Sequence, residues 1–279
     1  MTIAAHMTRR EIICKSVLTA TGLPADYAIN CYVGCEHGCQ YCYARYMKRF
    51  TGHREPWGTF VDARTNAPEV LAREVRRKAP GPVILSSVCD GWQPLEARYG
   101  LSGECVRILA DDGWPVSILT KSALVRRVLP LLEGKPADIG VSITTLDEGL
   151  CRAIEPQASP GRERLAVLRE AAERGIKVWA FLGPFLPLLT DQKENLSALL
   201  AAVAQLPVTH IYVDRVNFRS GVAASLREMA GKHFPELVED YRWLGSDRDA
   251  DRAYADQLRS TISRLAHRHG ISHRLRMGF

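Results

Sequence analysis

The chain has 279 residues, 46% hydrophobic and 24% charged, with 37 basic against 31 acidic side chains and a net charge of +6. That apolar content with so modest a charge excludes a mainly disordered chain, and the length is enough to bury a sizeable core in one large domain. Apolar runs such as Val178 to Leu182 and Leu196 to Val203 stop far short of the about 20 residues of a membrane span, and Met1 to Arg10 lacks a signal-peptide core, so a cytoplasmic protein without a membrane partner is expected.

Residues 1–26 read as an N-terminal extension, followed by a first strand at Tyr27–Val33. Pro68 stands where a first helical residue belongs, with Val70, Leu71 and Val75 at helical spacing. A short β-branched run at Val83–Ser87 predicts a strand, and Ser102 predicts the cap of a helix through Val106, Ile108 and Leu109 that Gly113 ends. Strands follow at Val116–Thr120 and Ile139–Thr144. Ser159–Pro160 opens a helix through Leu165 and Leu168, and Gly175 closes it. After a strand at Lys177–Leu182, Thr190 or Asp191 caps a helix through Leu199 and Val203, and a last strand falls at His210–Asp214. The tail from Gly245 is charged and helical (Ala253, Leu258, Ile262, Leu265), with a short strand at Ser272–Met277.

Strand and helix alternate at the repeat of a βα unit, and the continuous apolar runs suit parallel strands buried on both faces. Six such units are visible, short of the eight of a closed barrel. The expected fold is α/β: a partial (β/α)6 barrel of the TIM type over 27–244, with a helical C-terminal tail over 245–279 and an active site at the C-terminal ends of the strands.

Eight cysteines occur, and four lie in Cys31-Tyr-Val-Gly-Cys35-Glu-His-Gly-Cys39-Gln-Tyr-Cys42. The core spacing, C-x3-C-x2-C, follows the first strand. Soft thiolates spaced this closely can wrap one metal centre. Ordinary ferredoxin clusters take four cysteines, and three leave one iron open, as in reactive rather than structural metal sites. A structural zinc that borrows Cys31 or His37 is the competing reading, though zinc sites usually split their ligands into two separated pairs.

These residues resemble the radical S-adenosylmethionine (radical SAM) superfamily. The wider pattern is similar to the branch that contains spore photoproduct lyase, often labelled DNA repair photolyase-like. It comprises Asn30, Gly34-Cys35, His37-Gly38-Cys39, Tyr41-Cys42-Tyr43-Ala44-Arg45, Ser86 to Glu96, Leu119 to Ser122, Val141 to Thr144, Glu155-Pro156 and Arg164 to Asp191. The branch commonly has proline where Cys31 stands, and that thiol reads as a bystander or an added redox handle.

The resemblance implies a [4Fe–4S] cluster on Cys35, Cys39 and Cys42 whose open iron holds S-adenosylmethionine. One electron from a flavodoxin- or ferredoxin-type donor then cleaves it to a 5′-deoxyadenosyl radical that takes hydrogen from a substrate. It also implies that Lys121 pairs with the methionyl carboxylate, that Asp90 contacts the amino group or caps the following turn, and that Tyr41 packs on adenine. Tyr43 then lies on the radical path, and Cys89 is a hydrogen donor whose register looks shifted by one residue. Ser142 and Thr144 share one face of their strand, and because a buried hydroxyl is costly unless bonded, both are candidate cofactor contacts. Cys14, Cys105 and Cys151 read as small buried hydrophobes.

Two basic groups invite a DNA or RNA substrate. One is Arg45, Lys48, Arg49, His53 and Arg54 among Tyr46, Phe50 and Trp57; the other is Arg264, His267, Arg268, His269, His273, Arg274 and Arg276. Solvated helix faces explain the same residues. A peptide or small-metabolite substrate and a non-enzymatic iron–sulfur or zinc protein are the alternatives.

Overall fold

The computed structural model describes residues 7–218, 221–242 and 248–279. In chain order, β1 (Thr8–Ile12), β2 (Thr19–Ala20), β3 (Tyr27–Ile29), β4 (Tyr32–Gly34), β5 (Phe60–Arg64), α1 (Ala67–Glu74), β6 (Val83–Leu85), α2 (Glu96–Tyr99) and α3 (Leu101–Asp111) come first. They are followed by β7 (Val116–Thr120), α4 (Leu129–Leu132), β8 (Ala137–Ile143), α5 (Glu148–Ile154), α6 (Gly161–Glu173), β9 (Lys177–Phe185) and α7 (Lys193–Ala204). The chain finishes with β10 (Ile211–Arg215), α8 (Val222–His233), α9 (Val238–Arg242), α10 (Arg248–Arg268) and β11 (Leu275–Met277).

Strands β3, β6, β7, β8, β9 and β10 lie side by side in that order, all parallel. This is the expected six-unit partial barrel, and its C-terminal strand ends gather at one mouth. β11 extends it as a seventh parallel strand beside β10, and the two-residue β2 pairs antiparallel with β3 at the other edge.

The faces of the sheet are less alike than continuous apolar runs suggest. Ile29, Leu85, Ile118, Ile139, Val141 and Val178 are fully buried toward the helices, where each contributes roughly 1.5–3 kcal/mol. Their inward neighbours Ile84, Ser117, Leu119 and Phe181 are only half-buried. Burial on that face is uneven: Ala28, Ser142 and Trp179 on it are buried, while these four are not.

The expected first strand is corrected as well, because it breaks after Ile29. Arg64 donates from Nη1 to the Asn30 carbonyl (2.9 Å) and from its backbone N–H to the Cys31 carbonyl (3.0 Å). These bonds pull the chain out of the barrel and into a separate three-stranded sheet ordered β1-β5-β4. β1 and β5 carry charges and short apolar runs that gave no clear strand period.

Two predicted caps also differ. Ser102 lies inside the first turn of α3, fully buried, and Gly100 in the left-handed conformation precedes the helix. Thr190 accepts from the Leu186 N–H (2.7 Å) and shapes the loop before α7, whose cap position is Gln192. In the tail, Ser272–Arg274 is a 3-10 turn and only Leu275–Met277 is strand. The start of the predicted tail, 245–247, lies outside the described residues.

Candidate active site

The cysteine loop leaves β4 at the mouth and takes its shape from partners elsewhere. Gly34, just before Cys35, has φ +87°, and a Cβ there would lie 2.4 Å from the Phe60 carbonyl oxygen. Gly38 is packed against Gly58, where an added Cβ would sit 2.7 Å from the Gly38 Cα. Only glycine fits such backbone approaches. Glu36 N–H donates to Gln93 Oε1 (2.7 Å), and the buried Glu36 carboxylate accepts from Arg9 Nε of β1 (2.7 Å). Gln40 N–H donates to the Ile154 carbonyl (2.9 Å), and Arg45 Nη2 donates to the carbonyls of Cys39 (3.2 Å) and Gln40 (3.1 Å).

Within this frame Cys35 and Cys39 are buried and Cys42 is half-buried. Burial, with the charges of Asp90, Cys39 and Cys42, pushes the Cys35 thiol up. Burial raises Cys39 against the pull of Lys121, and it raises Cys42. Three thiols made costly to ionise in this way need a cationic centre to become ligands. Among the described residues no three His, Cys, Asp or Glu side chains are gathered closely enough for a single ion. Cys31 stands apart: it is buried with its Sγ 3.6 Å from Cys105 Sγ, while Cys14 is half-buried and Cys151 is buried.

Asp90 and Lys121 meet beside the loop. Asp90 Oδ1 accepts from Thr120 Oγ1 (2.7 Å) and the Trp92 N–H (2.9 Å), and Oδ2 accepts from the Lys121 N–H (2.8 Å) and lies 3.2 Å from His37 Nε2. Burial opposes its charge, but His37 and these donors outweigh burial and hold the carboxyl well below the usual range. Both oxygens are occupied, so Asp90 ties the β6 exit loop to the end of β7. The Lys121 Nζ has no hydrogen bond or ion pair among the described residues and lies 5.8 Å from the Tyr41 ring centroid. Burial works to discharge it, yet Cys39, Glu155 and Asp90 overcome burial and raise its pKa. An unpaired ammonium among acidic neighbours is a ready partner for a carboxylate.

Behind Lys121 runs a buried network. Tyr41 OH donates to Glu155 Oε1, and Thr144 Oγ1 lies 2.9 Å from that same oxygen and 3.3 Å from the Gly183 carbonyl. Ser142 Oγ donates to the Gly183 carbonyl (3.2 Å). Glu155 forms an ion pair with Arg164, each only 1% exposed at the side chain, and Arg164 Nη1 also donates to the Ser142 carbonyl (2.7 Å). Burial would raise the Glu155 pKa, but Arg164 and Lys121 bring it down to about 2. The resemblance covers Glu155 and Arg164 but gives neither a role. What could have found them is the rarity of a fully buried Glu or Arg without a partner.

Cys89 lies in the loop after β6, and Tyr43 reaches that loop from the start of a 3-10 helix. Asn30 Oδ1 accepts from the N–H groups of Ser87 (2.9 Å) and Val88 (3.0 Å), with Cys89 Sγ at 3.6 Å. Tyr43, half-exposed, donates from its hydroxyl to the Ser87 carbonyl. Burial first, then Cys31 and Asp90, push the Cys89 thiol up to about 12, so it keeps its hydrogen.

The two basic groups part company. Arg45 and the buried His53 turn inward; His53 is paired with Asp62 (2.9 Å) and Glu55 (3.1 Å). Lys48, Arg49 and Arg54 remain outward of them. The second group is split: β11 is parallel to β10, so His273 and Arg274 before it lie at the N-terminal strand ends, where Arg274 bonds the Leu206 carbonyl (3.1 Å), while Arg264 and Arg268 line a cavity with Pro187, Leu188 and Asp191 beyond the C-terminal end of β9.

A six-stranded parallel partial barrel with three cysteines on the loop beyond its first strand defines a class. The Radical SAM superfamily family model matches residues 29–200, more than half of the chain, and the chain belongs to that superfamily. Its cofactors are a [4Fe–4S] cluster and S-adenosylmethionine, and as a radical SAM enzyme it needs an electron donor and a substrate. Among relatives, the uncharacterized protein Rv2578c of Mycobacterium tuberculosis is 34% identical over 250 residues, covering 85% of this chain and 74% of that protein. The uncharacterized protein MJ0683 of Methanocaldococcus jannaschii is 28% identical over 257 residues, covering 91% and 93%. Among solved structures, spore photoproduct lyase complexed with dinucleoside spore photoproduct superposes with a TM-score of 0.70 at 15% identity, covering 98% of this chain and 82% of that one. No helix among the described residues is long and apolar enough to cross a membrane.

Proposed function

We propose that Cys35, Cys39 and Cys42 hold the cluster, that Lys121 receives the methionyl carboxylate of S-adenosylmethionine, and that the enzyme acts on a nucleic-acid base in a photoproduct-lyase-like reaction. The observation that carries the reading is the unpaired Lys121 ammonium beside the buried Cys39 at the barrel mouth. The bound cofactors supply the one-electron cleavage that makes the adenosyl radical. The chain's own residues bind and orient. Tyr41, fixed by Glu155, forms the wall beneath Lys121 and is the surface for adenine. Ser142 and Thr144, bonded to Gly183 and Glu155, are the strand-end contacts for the cofactor. Asp90 positions Lys121 through its backbone.

Cys89 holds its hydrogen at Sγ at the mouth, beside the loop that Tyr43 braces, and supplies it to the product radical. The nucleic-acid substrate rests on this pair and on the likeness to a lyase structure carrying a dinucleoside photoproduct. The reading includes residues 27–244 as the catalytic barrel with flanking segments 1–26 and 245–279, a cytoplasmic setting, and a flavodoxin- or ferredoxin-type donor.

Anaerobic reconstitution tests it. About four irons per chain with matching sulfide, and dithionite-driven formation of 5′-deoxyadenosine, are expected. One zinc per chain without turnover overturns the enzyme reading. With UV-irradiated DNA, deuterium is expected to move between the adenosyl methyl group and a thymine dimer. Turnover that ignores DNA, and DNA binding that is absent or insensitive to salt, move the substrate to a peptide or metabolite.

A further inference from the structure

We infer that the segment from Tyr43 to Arg54 is the docking surface for an acidic one-electron carrier protein, resting on the reading that Cys42 is a cluster ligand. The segment begins one residue past Cys42 as a 3-10 helix, Tyr43–Phe50. It contains no Asp or Glu, and it carries Lys48, Arg49 and Arg54 on its outer side. Phe50 is 66% exposed, and Arg49 lies 4.5 Å from its ring centroid. Arginine with an aromatic anchor is the composition of a protein interface, and the sign of the charge selects an acidic partner.

The surface is joined to the cysteine loop. Arg45, rooted by Ser225 Oγ of α8 (2.8 Å), donates to the carbonyl of Cys39 itself (3.2 Å). The patch is thus carried on the segment that begins one residue past Cys42, and the inward Arg45 of that segment is one hydrogen bond from Cys39. One electron passes from the reduced carrier to the oxidised cluster, and no atom moves with it.

A nucleic-acid strand fits the patch less well. Two of the five basic residues face inward, as His53 and Arg45 show. Tyr43 at the start of the segment is bonded to the Ser87 carbonyl.

The test compares two reductants on the reconstituted holoenzyme carrying Lys48→Glu, Arg49→Glu and Arg54→Glu together, with Phe50→Ala as a second variant. Dithionite needs no docking, and its 5′-deoxyadenosine yield is expected within twofold of the parent. With an acidic flavodoxin and its NADPH-dependent reductase the rate is expected to fall at least tenfold. The parent's rate is expected to drop with salt, and the variant's to stay flat. Binding of oxidised flavodoxin, measured by calorimetry without turnover, is expected to weaken by the same factor. Unchanged flavodoxin binding and rate overturn the proposal. So does an equal loss with both reductants, and so does loss of DNA binding with flavodoxin-driven reduction intact, which assigns the patch to substrate. Failure of the parent with dithionite is a different failure, that of the radical SAM assignment of these cysteines.

Discussion

The cysteine loop and the strand-end wall opposite it reach the same mouth by different physics. The loop carries recognisable chemistry, three thiols in eight residues, but it does not hold its own shape. Gln93, Arg9, Ile154, Arg45 and Gly58 hold it from outside. The wall carries unremarkable residue types but is braced by a buried ion pair and the hydroxyls bonded around it. The contrast teaches that a ligand motif announces itself locally, whereas the surface that orients the co-substrate is a property of packing.

Replacing Cys35, Cys39 or Cys42 by alanine breaks the loop side outright: iron content and 5′-deoxyadenosine formation are expected to vanish in each, and full activity in any one refutes that ligand. Glu155→Ala strikes the wall. It strands Arg164 in the interior, and removing one partner of a buried pair costs about 3–5 kcal/mol, visible as a large fall in Tm with the iron-binding cysteines intact. The same pair predicts an acid limb. Glu155 has a folded pKa brought down from 4.5 to about 2, so its contribution is complete above pH 4.5 and is lost as pH falls toward 2. Urea titrations of the parent and Glu155→Gln across that range are expected to converge at the acid end.

Lys121→Ala sharpens the comparison further. A charge-assisted hydrogen bond is worth about 1.5–3 kcal/mol, so S-adenosylmethionine affinity is expected to fall about 10- to 100-fold while iron content holds. Unchanged affinity removes its role. Gly58→Ala forces a Cβ against Gly38 at a φ of +95°, and about 1–2 kcal/mol of backbone strain is expected, with slower cluster uptake rather than lost turnover. Ser142→Ala should be mildest, about 1 kcal/mol for its bond to Gly183, with a small rise in the Kd for S-adenosylmethionine.

Much of the barrel was legible because β-branched runs and glycine-terminated helices are local signals. β7 falls on Val116–Thr120 as read, and β8, β9 and β10 within a few residues. The small sheet was not legible, since β1 is a charged five-residue edge whose only reason to be a strand is β5 beside it. Asp90 read equally as a cofactor contact or a turn cap, and only the placement of Thr120, Lys121 and His37 around it decides how its oxygens are used.

The sequence by itself determined the alternating units, the three thiols and the class of chemistry, because periodicity and ligand spacing are written in neighbouring residues. The tertiary structure alone decided that Lys121 is left without a hydrogen bond or ion pair among the described residues, that Glu155 meets Arg164 beneath Tyr41, and that His273 and Arg274 lie at the opposite strand ends from the cysteines. Those facts depend on strands distant in sequence arriving at one rim, and on which charges burial allows to stand unpaired.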